Sequence, residues 1–364
     1  MLKGNKGEWA ELYAFLKILS DGKLPSADEN LSVEKGRFFE FLKLYWDDKS
    51  HGSLVYKVEN DEIIILSPTD DVKKSVPKSK VSSTLTRAFS EILKGKGRSF
   101  SVPIAEDVMR ELLRTSLKAP SSEKADIFAN ILDRNTGTSE VSGFSVKSML
   151  ANQATLLNAS GQTLFRYEIR GITETQAKEI TAINSSNSSS KYVDRALKIL
   201  ALGGKFHFHS VPSFQFSQTL RKIDTLLPEF VAEMLVGFYT KNGNSLSDLV
   251  KYLSASKTIL DKFDFELSRE DYEFKLKQLL SASALGMQPS KPWDGMMRAN
   301  GGYLIVVRSG DVLCYHAFNR DVFLSYLFNN TRFESPASRD APILELNIVD
   351  GKIYTDLKLQ IRFI

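Results

Sequence analysis

Between two strand-like runs, Lys124-Ala125-Asp126-Ile127-Phe128 and Gly143-Phe144-Ser145-Val146-Lys147-Ser148, the chain carries one strong turn signal, Asn135-Thr136-Gly137-Thr138. An Asn- and Gly-containing turn between strand-forming residues makes a β-hairpin, which leaves each residue few partners. Folding the chain at the middle of that signal predicts that Asp126 faces Lys147, Phe128 faces Ser145 and Asn130 faces Gly143. Paired residues project to one face, so a carboxylate and an ammonium meet at the open end of the hairpin. Such a pair suits chemistry on a phosphate: the carboxylate can hold a divalent cation and the ammonium offsets anionic charge. An ordinary exposed ion pair has the same spacing, so other segments must decide between the two readings.

The N-terminus favours chemistry. Gly7 to Ser20 is expected to be helical, because Leu12, Phe15, Leu16 and Leu19 recur at helical spacing and Asp21-Gly22 ends the run. At about 100° per residue, Glu8 falls near the middle of that apolar face and Glu11 on its edge. A core-facing carboxylate is costly unless it is paired or binds a cation. The helix dipole explains acidic residues in a first turn, but not why they face inward. A helix that carries a Glu toward an Asp…x-Lys hairpin resembles the arrangement of PD-(D/E)XK-type nucleases. Lys6-Gly7-x-x-x-Glu11 is also similar to the opening of archaeal Holliday-junction resolvases.

Composition permits this without requiring it. The 364 residues, 42% hydrophobic and 25% charged, are enough for one large domain or two ordinary ones, and a formal charge of +4 allows a polyanionic partner. Cys314 is the single cysteine, which excludes an internal disulfide and fits a reducing, cytoplasmic setting. No signal peptide or membrane-spanning apolar run is read in the chain.

Helices are expected over Gly7–Ser20, Val33–Trp46, Lys80–Lys94 and Ala105–Leu117, with a short strand at Glu62–Leu66. After the hairpin come a strand at Thr163–Ile169, helices at Thr173–Ile183 and Tyr192–Ala201, and a Ser-rich breaker at Asn184–Ser190. Long helical patterns follow from Leu226 to Ala284. The chain returns to strands at Tyr303–Arg308, Val312–Ala317, Ile343–Val349 and Leu357–Phe363. This is an α+β composition with a mixed sheet. The expected division is a core over residues 1–225 holding the hairpin, and a helical then β region over 226–364 that serves DNA recognition.

Ordered blocks along nearly the whole chain resemble type II restriction endonucleases of the HpaII kind. They are Asn5-Lys6-Gly7-Glu8-Trp9-Ala10-Glu11, Asp126-Ile127 with Gly143 to Ser148, and Thr155-Leu156-Leu157-Asn158-Ala159-Ser160. Further blocks are Ala284-Leu285-Gly286-Met287, Trp293-Asp294-Gly295, Gly301-Gly302-Tyr303, Cys314-Tyr315-His316 and the terminal Leu359 to Phe363. The resemblance implies a PD-(D/E)XK restriction-endonuclease-like mixed sheet flanked by helices, with additional helical and β C-terminal regions. It also implies Mg2+-dependent cutting of double-stranded DNA at a short palindrome, with CCGG the site of the name-giving member. A cognate DNA methyltransferase would protect the host, and cutting both strands suggests a homodimer, although a monomer cutting twice remains open.

One departure from the general nuclease pattern is chemical. Ser145 stands two residues before Lys147 where Asp or Glu is usual, so the second carboxylate must come from elsewhere. Glu11 or Glu8 is the expected donor, with Glu168 and Glu174 in reserve. Asp126, Glu11 and the Val146 carbonyl are then expected to hold Mg2+, Lys147 to orient or deprotonate the attacking water, and Ser145 to help through its hydroxyl.

Phosphate contacts are expected from Lys118, Ser121, Ser122 and Lys124, just before the catalytic strand. For bases, two polar loops are candidates: Asn158, Ser160 and Gln162 in one, Arg332, Ser338 and Arg339 in the other. Arg can grip guanine with two hydrogen bonds, and Glu can accept from cytosine. His207 and His209 alternate on one strand face. With no Cys or third His nearby they read as a polar face or phosphate contacts rather than zinc ligands. Two further classes remain open: a nuclease fold kept only for DNA binding, and a repair or junction nuclease that follows DNA shape.

Overall fold

The computed structural model describes residues 1–118, 125–134, 137–150, 154–183, 191–260, 267–336 and 343–364. In chain order the first elements are α1 (Lys6–Asp21), β1 (Lys23–Ala27), β2 (Val33–Asp48), β3 (Gly52–Glu59), β4 (Glu62–Leu66), β5 (Val72–Pro77), α2 (Lys78–Lys94), α3 (Pro103–Glu111), β6 (Ile127–Asp133) and β7 (Thr138–Ser148). There follow β8 (Thr155–Leu157), β9 (Leu164–Arg170), α4 (Glu174–Ala182), α5 (Lys191–Ala201), β10 (Lys205–Ser210), α6 (Phe214–Ile223), α7 (Leu227–Tyr239), α8 (Leu246–Ser254), α9 (Lys257–Leu260) and α10 (Arg269–Leu285). The last are β11 (Gly302–Val306), β12 (Val312–His316), α11 (Arg320–Asn329), β13 (Thr331–Phe333), β14 (Asn347–Val349), β15 (Lys352–Lys358) and β16 (Ile361–Phe363).

Two compact units form: Met1–Ala154 with Met297–Tyr326, and Thr155–Met296 with Leu327–Ile364. The boundary expected at residue 225 is therefore not where the chain divides. The reason is strand pairing. β11 lies parallel to β7, with Tyr303 opposite Ser145 and Ile305 opposite Lys147, and β12 lies parallel to β1. A late segment thus completes the sheet begun by the first 150 residues.

That sheet has nine strands in the order β1-β12-β11-β7-β6-β2-β3-β4-β5, and β1 also pairs with β2. Six of the strands consequently close a ring of pairings. β2 makes this possible because its first half pairs with β1 and its second half with β3, while β6 runs along its other edge.

The expected helix over Val33–Trp46 is this strand. Its buried positions are Phe39, Phe41, Leu44 and Trp46. The extra residue between Phe41 and Leu44 comes from a bulge in the ladder with β6, between Phe41 and Lys43. A bulge shifts the side-chain phase, and here it turned a period of two into a spacing that imitates a helix. β1, β3 and β5 also add strands where few were expected. Helix α3 ends at Glu111 rather than Leu117, and Leu113 takes a left-handed φ of 54° just beyond it.

α1 packs its buried Trp9, Leu12, Phe15, Leu16 and Leu19 into a core with Phe39, Trp46, Tyr56, Ile65, Phe144 and Leu304. Asn5 and Glu8 form a reciprocal capping box at its start, and Gly22 closes it in the left-handed conformation at φ 70°.

In the second unit, β10, β9, β15 and β14 form one sheet, and β13, β16 and β8 another. Helix α7 is buried almost throughout, and the Tyr167 hydroxyl donates to its Ala232 carbonyl at 2.7 Å. The terminal strand pattern is shorter and more divided than expected, with β14 beginning only at Asn347 and β15 and β16 separated at Leu359-Gln360.

Candidate active site

The hairpin forms, with a different register. β6 and β7 pair Ile127 with Phe144, Phe128 with Gly143 and Asn130 with Val141, closing at Asp133 opposite Thr138. Every pairing is displaced by two residues from the expected one, because the strands close at Asp133 opposite Thr138, which centres the connection one residue earlier than the expected Asn135–Thr138 turn; Gly137, in the left-handed region at φ 69°, ends it. A shift of two preserves which face each side chain occupies. It does change neighbours, and Ser145 rather than Lys147 meets Asp126.

Asp126 sits just before β6, and its N–H donates to the Phe144 carbonyl at 2.7 Å. Its carboxylate Oδ2 accepts from the Ser145 hydroxyl at 3.1 Å and from the Val146 N–H at 2.7 Å. Two donors on one oxygen orient the group. The backbone is tight here. A Cβ on Gly143 would stand 2.7 Å from the Ala125 Cβ, and the Gly143 N–H donates to Asn300 Oδ1 at 2.9 Å. Lys147 is half-buried, with Nζ 5.3 Å from the ring centroid of the fully buried Tyr303. The ring face attracts the ammonium group.

Glu11 joins this group from α1. Burial pushes its carboxyl up to about 8, and the negative charge of Asp126 adds to the rise, while Arg114, Lys118 and Lys147 act against it. A half-buried carboxyl whose ionisation is disfavoured by burial and by a neighbouring carboxylate is what a divalent cation would relieve. Among the described residues, no three His, Cys, Asp or Glu side chains converge on a metal-sized site. Two carboxylates alone would suit a cation that keeps several of its waters.

Glu8 is used differently. Its Oε2 accepts from the Asn5 N–H at 2.9 Å, and its Oε1 pairs with Lys118 Nζ at 2.5 Å. That hydrogen bond raises the Lys118 pKa. Both Glu8 oxygens are thus engaged in holding the helix start and Lys118.

Arg114 and Tyr303 are participants that sequence reasoning did not single out. Arg114 is fully buried, with its guanidinium 3.5 Å over Trp46 and 4.6 Å over Phe15. It donates to the Ser116 carbonyl at 3.0 Å and the Leu117 carbonyl at 2.7 Å, fixing the turn that leads to Lys118. Burial brings it down to about 10, while nearby Tyr56, Glu11 and Asp48 oppose the fall. Asp48 anchors the same turn by accepting from the Thr115 N–H at 2.6 Å and the Thr115 hydroxyl at 2.9 Å. Burial acts to raise Asp48, and hydrogen bonds from Thr115, Ser50 and His51 outweigh it and hold its pKa low. No local motif marks Arg114. Tyr303 lay inside the Gly301-Gly302-Tyr303 block, but only the β7–β11 pairing gives it a role.

Of the expected DNA contacts, Lys118 lies beside the site in its ion pair, and Ser121, Ser122, Lys124, Ser338 and Arg339 fall outside the described residues. Asn158, Ser160 and Gln162 belong to the second unit. There the Ser160 hydroxyl caps a short turn by accepting from the Gln162 N–H, and Gln162 Oε1 accepts from the Ser213 hydroxyl at 2.6 Å. Arg332 pairs with Glu334 at 3.2 Å, and Arg362 shares that carboxylate at 2.8 Å. Glu168, a reserve ligand, pairs with Arg170 at 2.8 Å in the second unit. Burial pushes the Cys314 thiol well up, which leaves no reactive thiolate there.

The oriented Asp126, the half-buried Glu11 and Lys147 thus lie close together on neighbouring elements. The chain belongs to the HpaII restriction endonuclease family, whose model matches residues 5–363. It is 35% identical to the type II restriction enzyme HpaII of Haemophilus parainfluenzae over 362 residues, 99% of this chain and 98% of that enzyme. The protein is a site-specific DNA endonuclease by this membership. No solved structure matches it. No helix among the described residues is long and apolar enough to cross a membrane.

Proposed function

We propose that the chain makes Mg2+-dependent double-strand cuts at a short palindrome, CCGG or a close relative, from a PD-(D/E)XK-type site. Supporting this is the grouping of Asp126, Glu11 and Lys147, with Glu11 pushed up to about 8 by burial and by Asp126. Asp126, Glu11 and the Val146 carbonyl would hold the ion. When bound, Mg2+ supplies positive charge that polarises the phosphodiester and makes water a better nucleophile.

The chain's own groups do the rest. Ser145 and the Val146 N–H aim the Asp126 carboxylate. Lys147, held over Tyr303, donates from Nζ to a phosphoryl oxygen and offsets the charge that grows there during attack. Lys118, with Ser121, Ser122 and Lys124 following, would contact the backbone of the DNA, and the Asn158–Gln162 and Arg332–Arg339 segments would read bases. The second unit then supplies recognition. A two-fold homodimer matches a palindromic site, and a cognate methyltransferase protects host DNA.

The test is digestion of an unmethylated plasmid of known sequence with Mg2+. Discrete fragments mapping to CCGG, absent with Asp126→Ala and Lys147→Ala, are expected. Tight duplex binding without cutting under any metal or pH condition would overturn the catalytic reading.

A further inference from the structure

The His207/His209 pair belongs to a sheet face that the active-site account leaves unused. In the second unit, β10, β9, β15 and β14 bury Phe165, Tyr167, Ile169, Phe206 and Ile353 on one side. Their other side is fixed by the pairings Lys205 with Arg170, His207 with Glu168, Tyr354 with Glu168, Asp356 with Arg166, and Asn347 with Tyr354. Arg166, Arg170, Lys205 and Lys352 are exposed there. The two acids of the face are each engaged by a neighbouring arginine. Arg166 Nε and Nη2 both donate to Asp356 at 2.9 Å, and Arg170 donates to Glu168 at 2.8 Å.

The four cations against two carboxylates leave a surplus of two charges, half of the formal +4 of the whole chain, on one sheet face. Lys205 and Lys352 are its exposed lysines. An aromatic pair lies among these charges, with the His209 ring 5.4 Å from Tyr354 and edge-on to it. The two rings, Arg166, Asn347 and Asp356 line a concavity of about 390 Å³. A solvated sheet face needs polarity, but it does not need a cationic surplus, neutralised acids and accessible rings together. That combination is the footprint of a surface for a nucleic-acid backbone.

We propose that this face is a phosphate-tracking surface for duplex DNA, with Lys205 and Lys352 neutralising phosphates and His209 and Tyr354 packing against the sugar edge. The inference rests on DNA being the substrate, and it adds a binding surface outside the cleavage chemistry.

The test is the salt dependence of equilibrium duplex binding by the full chain and by Lys205→Gln/Lys352→Gln. Each phosphate contact contributes a slope of about 0.9 in log K against log salt, so the double variant is expected to lose about 1.8 of slope. Its kcat on saturating plasmid and its Tm should stay unchanged, while KM on plasmid rises several-fold. Lys205→Arg/Lys352→Arg is expected to keep the original slope, which a purely structural role would not require. An unchanged slope in the Gln variant, with the unaltered protein still cutting DNA, overturns this surface alone. A protein that cuts no DNA overturns the endonuclease reading instead.

Discussion

Two sheet faces in this chain carry acids among bases, and they resolve the charges in opposite ways. On the β9/β10/β15 face each carboxylate has its own arginine in hydrogen-bond contact, so the acids are spent and a cationic surplus remains. At the β6/β7 hairpin, Asp126 accepts from two neutral donors, Ser145 and the Val146 amide, and Glu11 presses on it from α1. Arg114 and Lys147 are held on aromatic rings beside these acids. On the proposed reading the first arrangement suits an anion and the second a cation. The difference lies less in which residues are present than in which partners are close enough to neutralise them.

The sharpest way to break the contrast is to remove the hairpin's charges. Asp126→Ala and Lys147→Ala are each expected to lower single-turnover plasmid cleavage by about 10³-fold, with Tm little changed, since groups aimed at developing charge are commonly worth that much. Comparable cutting by either variant would move the chemistry elsewhere.

Next in size is the buried guanidinium. Arg114→Ala removes a side chain stacked on Trp46 and Phe15 and leaves the Ser116 and Leu117 carbonyls without their donor. A loss of about 3–5 kcal/mol is expected in urea unfolding, from the cavity and the orphaned carbonyls. A change within about 0.5 kcal/mol, the range of an ordinary surface substitution, would show that the turn before Lys118 holds without it.

Glu11→Gln sharpens the comparison through pH. Between its ordinary 4.5 and about 8, the folded protein holds a proton at Glu11 that the unfolded chain has released. The metal-free fold therefore loses stability as pH rises through that window. In EDTA, Glu11→Gln should flatten this fall in Tm while abolishing most cleavage. Mg2+ should raise the Tm of the unaltered protein more than that of the variant. Parallel Tm curves for the two proteins would remove Glu11 from the coupled pair.

The smallest effect is expected on the other face. Asp356→Asn breaks an exposed Arg166 fork and should cost under about 1 kcal/mol, as surface ion pairs do. It should also tighten duplex binding slightly by freeing a cation. Weakened binding would mean that Asp356 itself contacts the DNA.

Much of this was legible locally. Helix α1 follows from the spacing of Leu12, Phe15, Leu16 and Leu19, and the strands around Asp126 and Lys147 follow from their composition and the turn between them. The Ser-x-Lys departure already required a carboxylate from another element, and Glu11 was one of the two donors expected from α1. The His207/His209 alternation marked a polar sheet face, which is what β10 presents.

What local pattern could not decide was anything set by a partner distant in the chain. A single bulge made β2 look helical, since side-chain phase is continuous only while the ladder is regular. The hairpin register turned on where its connection is centred, and a two-residue shift brought Ser145 rather than Lys147 to Asp126. A helical wheel puts both Glu8 and Glu11 on the apolar side of α1; the capping box and Lys118 claim one, and burial beside Asp126 distinguishes the other. Sequence alone named candidate groups for the chemistry and roughly which elements carry them. Only the tertiary structure decided their neighbours, because burial, ring contacts and strand pairing join Glu11, Arg114, Asp126, Lys147 and Tyr303 across nearly three hundred residues of chain.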